Sequence, residues 1–272
     1  MLIDTHCHLE TKEYENLDIL IKDMDGYMIA SGYNDATNLE VINLVTKYEN
    51  VYGVIGIHPE EIENITNNSF DIIKNNINNP KIVGIGEIGL DYHFRTDNKE
   101  KQKEIFIKQI KIAEENNKPI VVHSRDACYD TYNILKDIKV KCDMHCYSYS
   151  VEMAYEFIKI GCKLGIGGVL TFKNSKNLKE VVKRCDINNF LLETDSPYLT
   201  PEPFRGHKNK PSNVKFIAKK IAEIKEISYD NALNILNKNA IMQFDLPIKL
   251  WYNFFDVLRW CDEPKEIIFI NV

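Results

Sequence analysis

The chain has 272 residues, 44% hydrophobic and 27% charged, with 9 prolines and 12 glycines, a make-up that excludes a disordered or low-complexity protein. Its net charge of −6 excludes a broad grip on long nucleic acid by phosphate neutralisation, so an anionic substrate has to be met locally. Seven cysteines without a CxxC pair make no disulfide framework, and neither a membrane-length apolar run nor an export signal is expected, which points to the cytoplasm.

In chain order, eight short runs rich in apolar and β-branched residues predict strands at 2–8, 26–32, 51–58, 81–89, 119–124, 141–147, 163–169 and 190–195. The stretches between them have helical periodicity, as at 104–115 and 129–138. Strands alternating with amphipathic helices imply a parallel sheet, and eight such units imply its closure into an α/β (β/α)8 TIM barrel. An open doubly wound sheet would carry GxGxxG after its first strand, where this chain reads "HCHLE". Beyond the eighth strand lie a Pro- and Lys-bearing connection at 196–213 and helical segments at 214–226 and 229–242. The remainder is strongly aromatic: Trp251, Phe254, Phe255 and Leu258 fall on one helical face. The expected organisation is a barrel domain over 1–246 and a C-terminal helical, aromatic extension over 247–272, packed on the barrel or at an interface, in a monomer or small homo-oligomer.

Polar residues gather at one end of these strands. His6 and His8 share a side of strand 1, Glu87 lies late in strand 4, His123 ends strand 5, His145 lies late in strand 6 and Asp195 ends strand 8. All six sit at C-terminal strand ends, where barrel enzymes build their active sites. Four imidazoles and two carboxylates suit divalent metals, and six groups are too many for one open site but fit two ions sharing a carboxylate. Hydrolysis, most naturally of a phosphate ester, is the chemistry such a pair supplies. Strand alternation sends Cys7, Cys142 and Cys146 away from the barrel interior and sets Glu193 in phase with Asp195, as a partner for a histidine ligand. His58, at the end of strand 3, is a candidate substrate contact or ligand support. Asp91, Tyr92, His93 and Arg95 are expected in a loop bordering the pocket, and Arg95, Arg125 and Arg205 are candidate phosphate contacts.

The motifs "DTHCHL" (4–9), "GIHP" (56–59), "GEIGLDY" (86–92), "VVHSRDA" (121–127), "HCYS" (145–148), "LLETDSPYL" (191–199) and "FRGHKNKPSNV" (204–214) resemble those of the TatD family of metal-dependent hydrolases, often described as deoxyribonucleases. The resemblance implies one metal held by His6, His8, Glu87 and Asp195, and a second by Glu87, His123 and His145, with Glu87 bridging and Asp195 orienting or deprotonating the attacking water. It implies two divalent ions per subunit (Mg, Mn or Zn) and exonucleolytic hydrolysis of single-stranded DNA ends, in DNA degradation or repair. The alternative is hydrolysis of another ester or amide on the same site, including the ester of D-aminoacyl-tRNA. Strands 6 and 7, reading "MHCYSYS" and "IGGVLTF", depart from the family's usual Phe and Gly positions without removing a ligand.

Overall fold

A computed structural model describes residues 1–248. Eight strands form one sheet in sequential order, every neighbouring pair parallel. They are β1 (Leu2–Cys7), β2 (Gly26–Ser31), β3 (Val51–Ile55), β4 (Ile82–Asp91), β5 (Ile120–Arg125), β6 (Cys142–Met144), β7 (Cys162–Ile166) and β8 (Phe190–Leu192). Seven helices alternate with them: α1 (Leu17–Lys22), α2 (Asp35–Lys47), α3 (Ser69–Asn76), α4 (Lys99–Glu115), α5 (Cys128–Leu135), α6 (Val151–Lys159) and α7 (Lys176–Arg184). Helices α8 (Val214–Lys225) and α9 (Tyr229–Phe244) follow. This is the expected eight-unit barrel.

The seam between β8 and β1 is closed by the chain just past β8. The Asp195 amide donates to the His6 carbonyl and the His8 amide to the Ser196 carbonyl, at 3.0 and 2.7 Å. The Asp4 carboxylate fastens the same seam, accepting from the Thr194 amide at 2.9 Å and its hydroxyl at 2.6 Å. The residues that close the barrel therefore also carry site side chains.

Two cores share the sheet. The larger lies between strands and helices; the smaller fills the N-terminal half of the lumen with Ile3, Ile29, Val54, Val83, Val121 and Leu191, capped by Ala240 and Phe244 of α9 and by Leu246. Asn239 of α9 donates to the Ile187 and Phe190 carbonyls and holds the cap in place.

Strict alternation from Ile3, which faces the lumen, would turn Thr5 and Cys7 inward and both histidines outward. The structure inserts a bulge: Asp4 pairs with Met28 but Cys7 pairs with Ala30, three residues against two. The extra residue resets the phase, leaving Cys7 in the outer core and His6 and His8 inside. β4 repeats the device between Ile85 and Ile88, both in the outer core, so that Glu87 turns inward. Gly86 is required there, because a Cβ would fall 2.6 Å from that of Val121.

Four strands end three residues earlier than the sequence predicts, among them β7 at Ile166. β3 stops at Ile55, β6 at Met144 and β8 at Leu192, so His58, His145 and Asp195 lie on the first residues of the βα loops. β4 instead runs on to Asp91, correcting the expectation that Asp91 belongs to a loop. Cys146 is a second correction. Alternation ends with β6, the Cys146 backbone adopts a left-handed φ of 47°, and its thiol comes within 4.8 Å of ligand atoms of His145 and Glu193 rather than facing the helices. The expected aromatic extension lies outside the described residues. Among the described residues no helix is long and apolar enough to cross a membrane.

Candidate metal centre

Five of the chain's seven histidines crowd the C-terminal mouth of the barrel around Glu87. The Glu87 carboxylate is buried, and its two oxygens face different partners. Oε2 lies 3.4 Å from His6 Nε2 and 3.7 Å from His8 Nε2. Oε1 lies 2.8 Å from His123 Nδ1, 3.4 Å from His58 Nε2 and 4.0 Å from His145 Nε2. Asp195 Oδ1 closes the first set from the opposite side, 3.4 Å from His8 Nε2, 3.7 Å from His145 Nε2 and 3.9 Å from His6 Nε2.

Hydrogen-bond partners assign the imidazole tautomers. His8 Nδ1 meets the Ser31 carbonyl at 3.1 Å, and since a carbonyl only accepts, the proton sits on Nδ1 and the Nε2 lone pair faces the site. His145 Nδ1 meets Glu193 Oε2 at 3.2 Å, and an ionised Glu193, being acceptor-only, places the proton on Nδ1 in the same way. His58 is the reverse case. Its Nδ1 accepts from the Glu60 amide at 3.2 Å, so Nε2 carries the proton and faces Glu87 Oε1 at 3.4 Å. His123 lies between two carboxylates, with Nδ1 on Glu87 and Nε2 3.0 Å from Asp91 Oδ2.

The electrostatics are those of a cation site. Burial opposes the ionised form of Glu87, but His58, His123 and His6 outweigh it and hold the carboxyl well below its usual range. Burial likewise opposes ionised Asp195, and His8, His145 and His6 keep it low. Burial disfavours a charge on His8 and His123, yet the carboxylates of Asp195 and Glu87 on the first, and of Asp91 and Glu87 on the second, push each up to about 9. Burial and the neighbouring histidine lower His6, which stacks on His145 at 3.6 Å between ring centroids. Four dehydrated imidazoles and two carboxylates are costly to gather unless cations fill the space between them. Metal–ligand bonds of about 2.0–2.2 Å put neighbouring donors about 3–3.5 Å apart, close to the 3.4–3.9 Å seen around His6, His8, Glu87 and Asp195. The donor set fits divalent metal.

Around this centre stand further residues, some expected from the sequence, Asp91 among them in another place, and others, Glu10, Lys12 and Tyr33, not marked by it. Asp91 lies two and four residues beyond Gly89 and Glu87 on the inward face of β4; the i, i+2 spacing that revealed His6 and His8 marks it too. Glu10 is buried and accepts from Tyr33 Oη with both oxygens, at 3.1 and 3.0 Å, while Lys12 pairs with it at 2.7 Å. Tyr33 in turn packs edge-on against His8. Glu193, expected as a histidine partner, is fully buried, accepts from the Cys146 amide at 2.7 Å, and is pushed up by burial to about 8.

The arginines differ. Arg125, at the end of β5, is exposed and lies over the Phe94 ring at 5.0 Å, in no ion pair among the described residues. Arg205 is exposed and stacks on Phe172 at 3.9 Å. Arg95 is forked onto Asp97 at 3.0 and 2.7 Å, with Glu63 at 4.0 Å, so its donors are engaged by carboxylates of its own loop and the neighbouring one.

A (β/α)8 barrel with a histidine–carboxylate cluster at its C-terminal mouth defines a metal-dependent hydrolase. The profile of the family described as TatD related DNase matches residues 3–245, and the chain belongs to that family. It is 40% identical over 248 residues to YabD of Bacillus subtilis, described as an uncharacterized metal-dependent hydrolase, spanning 88% of this chain and 97% of that protein. It is 33% identical over 261 residues to YcfH of Escherichia coli, described in the same words, spanning 90% and 96%. A crystal structure of a TatD homolog from Escherichia coli superimposes with a TM-score of 0.83 at 25% identity, covering 90% of this chain and 98% of that one.

Proposed function

We propose that this protein is a cytoplasmic deoxyribonuclease that hydrolyses phosphodiesters from single-stranded DNA ends with two divalent ions, Mg, Mn or Zn. The observation that carries the binuclear reading is Glu87, whose oxygens face two donor sets, His6 with His8 on one side and His123 on the other. In this reading His6, His8, Glu87 and Asp195 hold one ion, and Glu87, His123 and His145 hold the second. His58, whose Nε2 faces Glu87, helps to orient that carboxylate and borders the substrate. Bound ions would lower the pKa of a water and neutralise charge on the phosphate.

The protein's own groups supply the rest. Asp195, ionised and at the edge of the cluster, holds the attacking water by accepting its hydrogen bond and takes its proton. The Ser31 carbonyl, and Glu193 in its ionised form, keep His8 and His145 in the tautomer that presents Nε2. Arg125 and Arg205 meet the strand's phosphates, giving local positive charge to a chain of net −6. A chain without an extended basic track suits a strand end better than a long duplex.

The test is release of nucleotides from end-labelled single-stranded DNA by the full chain loaded with Mg²⁺, Mn²⁺ or Zn²⁺, beside hydrolysis of a D-aminoacyl-tRNA ester. Nucleotide release that disappears in Glu87→Ala supports the proposal. Turnover of the aminoacyl ester with no cleavage of DNA would replace it with the ester-hydrolase alternative.

A further inference from the structure

Beside the metal centre is a cavity of about 260 Å³ lined by Pro59, Glu60, Asp91, Phe94, Arg95 and Asn98 among others. It abuts the centre directly: Pro59 follows His58 in the chain, and the Asp91 carboxylate bonds His123 Nε2 at 3.0 Å. Drug-sized sites span about 300–1,000 Å³, so this volume suits one planar ring system.

Phe94 is the unusual wall. It is 64% exposed, and the residues around it are tied down. Tyr92 Oη donates to Asp130 at 2.8 Å, His93 Nδ1 meets Asp126 at 2.9 Å, and Arg95 is forked onto Asp97. An apolar ring held out by anchored neighbours is placed there: Arg125 lies 5.0 Å from its centroid and the His93 ring stands nearly perpendicular to it at 4.9 Å, and the large exposed remainder of the ring is open to an occupant. The lining charge selects what that occupant can be. Glu60 and Asp91 are acidic and the one lining cation, Arg95, is neutralised by Asp97, so a phosphate is repelled where an uncharged aromatic ring is not.

We propose that this cavity seats one nucleobase of the strand whose phosphate lies at the metal centre, with Phe94 as the stacking face and Arg125 directing the adjoining phosphate away from the acidic wall. The proposal rests on the nuclease reading and adds to it a means of holding unpaired bases, since a base in this seat is not available to a complementary strand.

The experiment measures binding of a nuclease-resistant phosphorothioate tetrathymidylate to the metal-loaded full chain, with analogues made abasic at each position in turn. Phe94→Ala is expected to weaken binding of the parent oligonucleotide by about tenfold, the size of one lost base–aromatic stack, and Phe94→Trp to preserve it. One abasic analogue is expected to bind wild type and Phe94→Ala equally. Equal binding of the parent by wild type and Phe94→Ala overturns the seat, as does an equal loss with every abasic analogue, which would place Phe94's effect in the backbone of the loop. Cleavage of the ordinary phosphodiester oligonucleotide is read in parallel. Base-dependent binding through Phe94 without cleavage would overturn the nuclease reading and leave the seat standing, and cleavage indifferent to Phe94 would do the reverse.

Discussion

The two halves of the barrel lumen are built from the same eight strands and have opposite chemistry. The N-terminal half is largely apolar and sealed by Phe244 and Leu246, with the buried carboxyl of Asp143 in register with Val121. The C-terminal half holds five histidines with Glu87, Asp91, Glu193 and Asp195, six of the nine buried and the rest half-buried. The boundary between them is set in β1 and β4 by the bulges after Asp4 and Ile85, which reset strand phase just where the aliphatic layer ends. The lower half supplies rigidity, and burial there pushes its carboxyl, Asp143, well above the usual carboxylate range; the upper half carries charge that bound cations balance.

If that division holds, the two halves break in different ways. Glu87→Ala removes the carboxylate common to both donor sets, and activity is expected to fall to background with metal content reduced, measured by elemental analysis, while the fold persists in circular dichroism. Phe244→Ala empties the seal at the other end and is expected to cost about 3–5 kcal/mol in denaturant unfolding, leaving metal content unchanged in the fraction that remains folded. Loss of metal in Phe244→Ala at full occupancy of the fold would mean that the halves are not independent.

How far the sequence carries this picture depends on which physical signal encodes each part. Hydrophobic runs locate all eight strands because burial on both faces demands them. His6, His8, Glu87, His123, His145 and Asp195 were visible as polar residues where apolar ones are the rule, and the structure brings all six together. Phase was not legible: a bulge is a local backbone choice with no compositional mark, and His6 and His8 face the lumen because of one. Cys146 fails for the same reason, since alternation was carried past Met144, where β6 ends. Periodicity identifies α9 as a helix but cannot say that it lies beneath the barrel; Phe244 is ordinary in sequence and decisive in place. Arg95 reads like Arg125 along the chain, and only the fork onto Asp97 separates them.

The halves also answer differently to pH. In metal-free protein His8 and His123 titrate near 9 against an unfolded value of about 6.5, and Glu193 near 8 against about 4.5. All three bind protons more tightly folded than unfolded, so their contribution is whole below the unfolded values and is lost as pH rises through the folded ones. With chelator present, the melting temperature is expected to fall between pH 6.5 and 9. Divalent metal displaces the protons on the two histidines, so its affinity should rise over the same interval and flatten the loss. A chelated protein whose melting temperature rises from pH 6.5 to 9 would contradict these charge assignments.

The smallest expected effect tests how the upper half is held together. Asp91 touches no other member of the cluster as closely as His123, whose Nε2 it holds at 3.0 Å while Nδ1 faces Glu87. Losing the negative charge of Asp91 frees the ring to rotate and lowers the basicity of Nδ1. Asp91→Asn keeps the shape and one acceptor, so the expected loss is about 10–100-fold in affinity for the second ion, with the first retained. Titration with Mn²⁺ followed by electron paramagnetic resonance reads the two separately, since a coupled pair and a lone ion give different spectra. A spectrum still dominated by the coupled pair at low metal would show that His123 is positioned by Glu87 alone. A lone-ion spectrum that converts to the pair only at high metal would show that the polar half, like the aliphatic one, depends on a layer of supporting side chains beneath those in contact with its contents.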